Sequence, residues 1–324
     1  MKLLVTGGAG FIGSHFIRYW LKNHPEDFIV NLDALTYAAS PATIEEFKTN
    51  SHYSFVHGSI SDITCVDKCL QGIDWVINFA AETHVDNSIA EPDIFLQTNV
   101  IGTGVLLKSA LKHNVKRFHH VSTDEVFGSL GPEGKFNFNS PYNPRSPYSA
   151  SKAASDHLVR AYWHTYKLPI TISNCSNNYG PFQFPEKFIP VCITNVILGK
   201  KIPVYGDGSN RRDWIYVLDH VKGIEAILLN GKAGSTYLLA GPDGDISNLA
   251  VVEKLLEIMR QPKEIMEFVT DRPGHDWRYA LDDVQSRQEL GWQPQVSWQD
   301  GLGQTVDWYQ QNQARWRDIL DNKN

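Results

Sequence analysis

The sequence predicts an α/β protein with a doubly wound parallel sheet and a smaller region towards its C-terminal end. Three observations support this prediction. Short apolar runs alternate with helix-length segments through the first half of the chain. These runs are continuously apolar, as in parallel strands that helices cover on both faces. A glycine-rich turn links the first run to the first helical segment, as at the start of many βαβ units.

The predicted elements follow one another in the order that βαβ units require. The apolar runs are residues 3–5, 28–30, 54–56, 75–77, 118–121 and 170–172, and the clearest helical segments are residues 12–22, 100–113 and 149–166. After about residue 175, prolines and a glycine-rich turn interrupt this alternation. We therefore predict one domain over residues 1–175, with a later strand returning within residues 214–240, and a smaller region formed by residues 176–213 and 241–324.

Composition restricts the class of protein. The chain has 324 residues, of which 42% are hydrophobic and 20% charged, which is ordinary for a globular protein. Its formal net charge of -6 does not favour binding to nucleic acid. No uninterrupted apolar run approaches the roughly 18 residues of a membrane helix, and Met1 leads directly into a strand-like run. We expect a cytoplasmic protein that binds neither nucleic acid nor a membrane.

Cysteine and histidine spacing gives no sign of a metal site. Cys65, Cys69, Cys175 and Cys192 include no C-x-x-C pair, and the 12 histidines lack an H-E-x-x-H pattern. We expect reduced structural thiols and no bound metal.

The glycine-rich turn is typical of a dinucleotide site. Gly7, Gly10 and Gly13 follow the first strand and open the first helix, where small residues let backbone N–H groups approach a pyrophosphate. Asp33 ends the second predicted strand, where a carboxylate accepts hydrogen bonds from a ribose and repels a 2′-phosphate. The first domain is therefore predicted to be a Rossmann-type domain that binds NAD rather than NADP.

Two further groups of residues suggest catalysis. Tyr148 and Lys152 have the i, i+4 spacing that places both on one helix face, where an ammonium would lower the tyrosine pKa and favour a base. Thr123, Asp124 and Glu125 follow a strand that reads as buried. An Asp-Glu pair in a loop is usually solvated, but two carboxyl groups in different surroundings can divide acid and base roles. Both can reach one substrate only if the chain turns there.

Together these motifs resemble the extended short-chain dehydrogenase/reductase superfamily, and within it the dTDP-glucose 4,6-dehydratases. The resemblance covers nearly the whole chain. The matching segments are residues 80–86 (AAETHVD), 123–125 (TDE), 175–181 (CSNNYGP), 185–187 (PEK), 205–208 (YGDG), 212–214 (RDW) and 271–276 (DRPGHD). Several long motifs in one order are much more specific than any single motif.

The resemblance implies a reaction as well as a fold. It implies that dTDP-glucose loses water and becomes dTDP-4-keto-6-deoxyglucose, with transfer of the C4 hydride to NAD and its return to C6. Tyr148, helped by Thr123 and Lys152, would remove the 4-hydroxyl proton. Glu125 would then take the C5 proton, and Asp124 would protonate the departing C6 hydroxyl.

The resemblance also implies two sets of binding residues. Beside the glycines, Asp33, Tyr148 and Lys152, the cofactor set is Phe11, Ile12, Ala34, Leu35, Thr36, Asp62, Ile63, Phe79, Ala80, Ala81, Glu82, Thr83, Thr98 and Asn178. The substrate set, in the smaller substrate-binding region and the strand ends, is Thr83, Thr123, Asn177, Glu186, Lys187, Pro203, Val204, Tyr205, Arg212, Asn248, Asp271, Arg272 and His275. Arg212 and Arg272 suit a diphosphate in charge and geometry. Ser247 is an alternative to Asn248.

Several alternatives stay open. Thr83, Asn87, Phe127 and Trp277 depart from residues that are frequent in the family, so UDP-glucose remains a possible substrate. A nucleotide-sugar 4-epimerase or decarboxylase would share the fold, and an NAD-binding redox sensor would share the cofactor site. The resemblance further implies a homodimer that pairs through residues 100–113 and 149–166.

Overall fold

The computed structural model describes residues 1–271 and 274–321. The strands are β1 (Lys2–Thr6), β2 (Phe28–Asp33), β3 (Tyr53–His57), β4 (Trp75–Asn78), β5 (Arg117–Thr123), β6 (Ile170–Cys175), β7 (Asn177–Tyr179), β8 (Ile202–Tyr205), β9 (Arg211–Tyr216), β10 (Thr236–Leu239), β11 (Asp245–Ser247) and β12 (Met266–Val269). The α-helices are α1 (Phe11–Asn23), α2 (Pro41–Phe47), α3 (Ile63–Cys69), α4 (Val85–Ala90), α5 (Pro92–Phe95), α6 (Thr103–Lys112), α7 (Pro147–Tyr166), α8 (Phe188–Ile197), α9 (Val217–Asn230), α10 (Asn248–Met259), α11 (Val284–Leu290), α12 (Trp298–Gln311) and α13 (Gln313–Asp321).

The main sheet has seven strands in the order β10-β6-β5-β4-β1-β2-β3, and neighbouring strands are parallel. Each of the six apolar runs lies within one of these strands, so the predicted doubly wound α/β fold is confirmed. The strand order reverses between β1 and β4. In such sheets, ligands bind in the crevice outside the carboxyl ends of the strands at this switch point.

Helices cover both faces of this sheet with apolar side chains. On one face, Phe16 of α1 and Ile224 of α9 are fully buried. On the other face, Val66 of α3, Leu106 of α6 and Val159 of α7 are fully buried. Each such side chain contributes about 1.5–3 kcal/mol to folding. Because both faces are covered, the carboxyl edge of the sheet is the place where polar side chains can meet a ligand.

A smaller assembly lies beyond β6 in the chain. It contains a three-stranded sheet, in the order β11-β9-β7, and the parallel pair β12-β8. A separate apolar core unites these strands with helices α8, α10, α12 and α13, through side chains such as Ile193, Leu255, Val306 and Trp316. Within residues 214–240, β10 joins the main sheet, whereas the end of β9 belongs to the small one.

The helix predicted over residues 100–113 begins earlier than expected. A π-helical stretch, Leu96–Gly102, joins α5 to α6. The resulting helix, Pro92–Lys112, has 21 residues and a mean hydropathy of 1.3. By length and composition alone, it is long and apolar enough to cross a membrane. Core helices meet the same criteria, and Leu106, Leu107 and Ala110 of α6 are fully buried against the sheet.

Candidate active site

Helix α7 carries the predicted Tyr148–Lys152 pair. Ser146 caps its first turn, accepting a hydrogen bond from the Ser149 backbone at 3.1 Å, and Pro147 occupies the first helical position. Both predicted side chains are buried, at 7% exposure for Tyr148 and 4% for Lys152. The Lys152 ammonium donates a 2.8 Å hydrogen bond to the carbonyl of Val121 in β5. The pair therefore faces the carboxyl end of this strand.

The chain turns directly after β5, as the two carboxyl groups require. Asp124–Phe127 form a single 3-10 turn that Thr123 caps, its hydroxyl accepting the Glu125 backbone N–H at 3.2 Å. The same hydroxyl lies 3.3 Å from a carboxyl oxygen of Asp124. Thr123 is hydrogen-bonded to the Tyr148 phenol, and the charges of Glu125 and Asp124 raise the Tyr148 pKa. The structure thus brings the predicted catalytic residues together.

The two adjacent carboxyl groups have different surroundings. Asp124 is 1% exposed, whereas Glu125 is only partly buried. Burial raises the Asp124 pKa well above its usual value of 3.8, and the charges of Glu125 and Asp213 raise it further. Within the described residues, one Asp124 carboxyl oxygen is buried without a hydrogen-bond partner. Burial therefore favours the protonated form of Asp124, which suits the role of a proton donor.

The Tyr148 pKa corrects an expectation from the sequence. Lys152 was expected to lower this pKa, but burial raises it well above the usual 10.0, and Glu125 raises it further. The hydrogen bond with Thr123 acts in the opposite direction. Burial also lowers the Lys152 pKa, whereas the charge of Asp156 acts to raise it. Sequence spacing placed the ammonium on the correct helix face but did not reveal the cost of desolvation.

The glycine-rich turn has the close packing that a dinucleotide loop needs. A Cβ atom on Gly13 would lie 2.4 Å from the Gly7 carbonyl oxygen, and Gly7 has a φ of +72°. Helix α1 begins after Gly10 with no side-chain cap, so no side chain occupies its first backbone N–H groups. These features, together with the carboxylate of Asp33, fit the pyrophosphate and ribose of NAD.

Asp33 also organises the turn. Its carboxylate accepts the backbone N–H groups of Ala9 and Leu35, each at 2.8 Å. Ala34, Leu35 and Thr36 follow β2 directly, at the carboxyl edge of the sheet. A carboxylate has further lone pairs, so these two bonds leave acceptor capacity for a ribose hydroxyl.

The other predicted cofactor residues follow neighbouring strand ends. Residues 79–83 follow β4, and Glu82 exchanges hydrogen bonds with Asn99, which places the π-helical stretch with Thr98 beside this loop. Asn178 of β7 is bonded to His220. Asp62 instead caps α3, accepting from the Thr64 backbone at 2.9 Å, while the neighbouring Ile63 is 40% exposed.

Three predicted substrate residues come together beside the cofactor loop. Lys187 donates to the Thr83 carbonyl at 3.1 Å, and Glu186 accepts from the Tyr37 hydroxyl at 2.9 Å. The Lys187–Thr83 hydrogen bond joins the loop after β4 to the segment that precedes α8.

Two amides offer buried acceptors to a ligand. Within the described part of the chain, the side-chain oxygens of Asn177 and Asn248 are buried without a hydrogen-bond partner. The Ser247 hydroxyl caps α10, accepting from the Ala250 backbone at 3.2 Å. Of these two neighbours, Asn248 therefore retains an uncommitted side-chain acceptor.

Arg212 lies deeper than a surface diphosphate partner would. Its side chain is 6% exposed, donates to the Asp276 carbonyl at 2.8 Å and lies over the Tyr279 ring at 4.4 Å. Its charge acts to lower the pKa of Asp124, against the larger effect of burial. Arg272, the other predicted diphosphate partner, lies outside the described residues.

The predicted strand residues Pro203, Val204 and Tyr205 point in alternating directions along β8. Val204 is buried in the smaller core, whereas Tyr205 is 39% exposed and its ring centroid lies 6.3 Å from that of His275. His275 in turn lies 2.7 Å from the Asp271 carboxylate. These residues form one cluster in the smaller region, in which Tyr205 and Asp271 are exposed and the His275 side chain is only 6% exposed.

Sequence reasoning missed several buried polar residues around the site. Asn31 accepts the Gly8 backbone N–H at 3.1 Å, and Asn99 donates to the Ser151 hydroxyl at 2.8 Å. Asp156 is fully buried below Lys152. A signal for Asp156 was present, because it repeats the four-residue spacing of Tyr148 and Lys152. Among the described residues, no group of three His, Cys, Asp or Glu side chains is arranged to hold a metal ion.

Comparisons with known proteins agree with this geometry. A family model described as GDP-mannose 4,6 dehydratase matches residues 4–305. The dTDP-glucose 4,6-dehydratase of Xanthomonas campestris is 47% identical over an alignment that covers 98% of this chain and 95% of the relative. That of Mycobacterium tuberculosis is 46% identical, covering 99% and 97%. The structure of DesIV, a dTDP-glucose 4,6-dehydratase from Streptomyces venezuelae solved with NAD and dTDP bound, is 46% identical, with a TM-score of 0.96 and coverage of 98% and 100%.

Proposed function

The chain belongs to the family of NAD-dependent dTDP-glucose 4,6-dehydratases, and from this membership we propose how its residues divide the reaction. The enzyme is a hydro-lyase that converts dTDP-glucose into dTDP-4-keto-6-deoxyglucose and water. The observation that carries the proposed division is the buried Asp124, whose pKa is raised well above its usual value, beside the less buried Glu125.

NAD is held at the switch point of the main sheet. We assign the pyrophosphate to the backbone of the Gly7–Gly13 turn and the adenosine ribose to Asp33, with the loops after β2, β3 and β4 around them. When bound, NAD accepts a hydride from sugar C4 and later returns it to C6. The protein contributes orientation and proton transfers to this chemistry.

Tyr148 removes the proton from the sugar 4-hydroxyl. Thr123 supports it through the hydrogen bond that lowers the Tyr148 pKa, and Lys152 supplies a positive charge in the same buried environment. The high Tyr148 pKa means that this base depends on nearby positive charge to work near neutral pH.

Glu125 and Asp124 divide the elimination of water. A ketone at C4 acidifies the C5 hydrogen, and Glu125 takes this proton and gives a proton back to C5 when the hydride returns to C6. Asp124, whose pKa burial raises well above its usual value, donates its proton to the C6 hydroxyl so that it leaves as water. One residue could not serve both atoms, because the acid and the base must act in the same step on opposite ends of the C5–C6 bond.

Substrate recognition is assigned to the crevice between the main sheet and the smaller region. Asn177, Asn248, Glu186 and Lys187 line the proposed sugar and diphosphate positions, with Thr83 beside Lys187. The cluster of Tyr205, Asp271 and His275 forms the outer edge for the nucleotide. Arg272 remains a proposed diphosphate partner, whereas the buried contacts of Arg212 support a second role next to Asp124. We further propose that residues 1–175 with β10 form the NAD-binding domain and that the rest forms the substrate-binding region.

We also propose that the enzyme works as a cytoplasmic homodimer. Ile94, Leu96, Ile101 and Tyr166 are each at least 46% exposed, on the helix Pro92–Lys112 and at the end of α7. Large apolar side chains exposed together indicate an interface. A pairing of these two helices with those of a second copy would bury them.

The assay for this function follows the mass of the sugar nucleotide. The purified protein is incubated with dTDP-glucose and, separately, with UDP-glucose, without added NAD. Loss of one water from dTDP-glucose alone is expected, and it would also show that NAD is retained. Water loss from UDP-glucose alone would change the substrate and keep the mechanism. If neither loses water after NAD is added, the assigned roles of Asp124 and Glu125 are wrong.

A further inference from the structure

Asp156 lies at the centre of a buried polar network that the proposed mechanism does not yet use. It is fully buried on α7, one turn beyond Lys152, in line with Tyr148 and Lys152. One of its carboxyl oxygens accepts three hydrogen bonds: from the Ser122 hydroxyl at 2.9 Å, from the Tyr142 hydroxyl at 2.7 Å and from the Asn174 amide at 3.2 Å. A buried carboxyl group with so many donors is strongly localised.

The same network holds the strand end that carries Thr123. The Asn174 amide nitrogen that donates to Asp156 also lies 3.1 Å from the Thr123 carbonyl. The Ser122 hydroxyl donates a hydrogen bond directly to Asp156. The carbonyl of Val121, the preceding residue, accepts a hydrogen bond from the Lys152 ammonium. Three consecutive residues at the end of β5 are thus tied to α7, which carries the catalytic tyrosine.

The network also affects the charge of Lys152. Titratable groups face Lys152 from three elements: Asp156 on its own helix, His120 on β5 and Cys175 on β6. Burial lowers the Lys152 pKa, and among the groups that oppose this effect the charge of Asp156 is the largest. Burial lowers the His120 pKa well below 6.5 and raises the Cys175 pKa to about 12, so both are neutral near pH 7. Asp156 is therefore, among these groups, the one whose charge most favours the ammonium of Lys152.

Asp156 has charged and polar neighbours of its own. Its second carboxyl oxygen lies 3.5 Å from His120, and Arg160 donates to the Tyr142 hydroxyl at 2.6 Å. Burial raises the Asp156 pKa above its usual value of 3.8, and the charges of Lys152 and Arg160 and the hydrogen bonds from Tyr142 and Ser122 act against this effect. These neighbours stabilise the ionised carboxylate.

We propose that Asp156 is a positioning residue for the proton transfer from the sugar 4-hydroxyl to Tyr148. Its carboxylate balances the charge of Lys152 and aligns the strand end that presents Thr123. Asp156 touches neither substrate nor cofactor in this role and acts through its neighbours. The inference rests on the proposed role of Tyr148 as the base.

The test is the pH dependence of kcat in the variant Asp156→Asn, which keeps the volume and removes the charge. Without the carboxylate, Lys152 loses its proton more readily, and the Tyr148 pKa rises. The acid limb of the kcat profile should move to higher pH by about one unit, and kcat near pH 7 should fall by about tenfold to a hundredfold. KM and the amount of bound NAD should change less than about threefold, since Asp156 contacts neither ligand.

Asp219→Asn is the matched control. Asp219 is also a fully buried carboxylate on a helix, where it accepts the backbone N–H groups of Gln295 and Val296 at 2.8 and 2.7 Å. Its neutralisation should lower the melting temperature and leave the acid limb in place. If both variants move the acid limb equally, or if Asp156→Asn leaves it unchanged, the inference is wrong.

A second variant keeps the test decisive if Asp156→Asn does not fold. Tyr142→Phe removes one donor to the carboxylate, so the Asp156 pKa rises and the acid limb should move upward by a smaller amount. An unmoved limb in a folded Tyr142→Phe enzyme would overturn the inference. Failure of the proposed function is distinguishable, because the wild-type enzyme would then release no water from dTDP-glucose at any pH.

Discussion

Two adjacent residues show how strongly position controls chemistry. Asp124 and Glu125 are neighbours in one 3-10 turn, yet only the first is almost fully buried. Desolvation raises the pKa of Asp124, and the charge of Glu125 adds to this effect. In the proposed mechanism, one carboxyl group donates a proton while the other accepts one because their burial differs, rather than because of residue type.

Gly13 offers a test of the cofactor loop at the level of one residue. In Gly13→Ala the new Cβ would meet the Gly7 carbonyl oxygen at 2.4 Å, so the turn must open. We expect loss of bound NAD and a destabilisation of about 1–3 kcal/mol, measured by the absorbance of released cofactor and by thermal denaturation.

Gly303→Ala is the control for this change. Gly303 lies within α12, and a Cβ there would meet no atom within 4 Å. Alanine should therefore stabilise the helix by up to about 1 kcal/mol and leave bound NAD unchanged. Equal NAD loss in both variants would show that the close approach of Gly13 and Gly7 is unimportant.

At the level of elements, α13 connects the end of the chain to the cofactor region. Arg315 donates to the hydroxyls of Ser40 and Thr43 at 2.9 and 2.8 Å, near the start of α2. It also lies over the Phe182 ring at 4.7 Å, opposite Arg18 at 4.4 Å. Phe182 has a φ of 65°, an uncommon conformation for a bulky side chain that these contacts hold in place. The match to the family model ends at residue 305, before this helix.

Arg315→Ala tests this connection. It removes two charge-assisted hydrogen bonds and the ring contact, so we expect a destabilisation of about 1–3 kcal/mol and faster hydrogen exchange in residues 34–43. Arg317→Ala is the comparison, because Arg317 contacts Gln313 and the Trp316 ring on its own helix. Unchanged exchange in residues 34–43 of the first variant would mean that α13 does not stabilise this segment.

At the scale of the whole molecule, the exposed apolar side chains bear on the proposed dimer. Leu96 and Ile101 are 51% and 53% exposed on the π-helical stretch that connects α5 to α6. The double variant Leu96→Asp, Ile101→Asp would place two charges in the proposed dimer interface, where they cannot be paired. We expect the wild-type protein to be dimeric and this variant monomeric by light scattering.

Leu229→Asp is the control for assembly. Leu229 is equally exposed, at 51%, but lies on α9 on the other face of the sheet. This variant should remain a dimer. A monomeric wild-type protein, or a double variant that stays dimeric, would contradict the proposed interface.

The sequence by itself determined the elements and the local parts of the site. Strand and helix periodicity, the glycine spacing and the i, i+4 spacing of Tyr148 and Lys152 are properties of short segments, so they can be recognised before the chain is folded. The order of these segments was sufficient for the doubly wound sheet, whose connections follow general rules. The turn at Asp124 required by two catalytic carboxyl groups was anticipated, although sequence could not demonstrate it.

Only the tertiary structure decided burial and long-range polar contacts. Asp156 meets Ser122 across 34 residues, and Arg212 meets the Asp276 carbonyl across 64 residues. The pKa directions of Asp124, Tyr148 and Lys152 follow from the water that such contacts exclude. Desolvation depends on everything that packs around a group, and residues far apart in the chain supply most of that packing. The chemistry of each side chain is therefore readable from the sequence, whereas the energy of its charged form is decided by the fold.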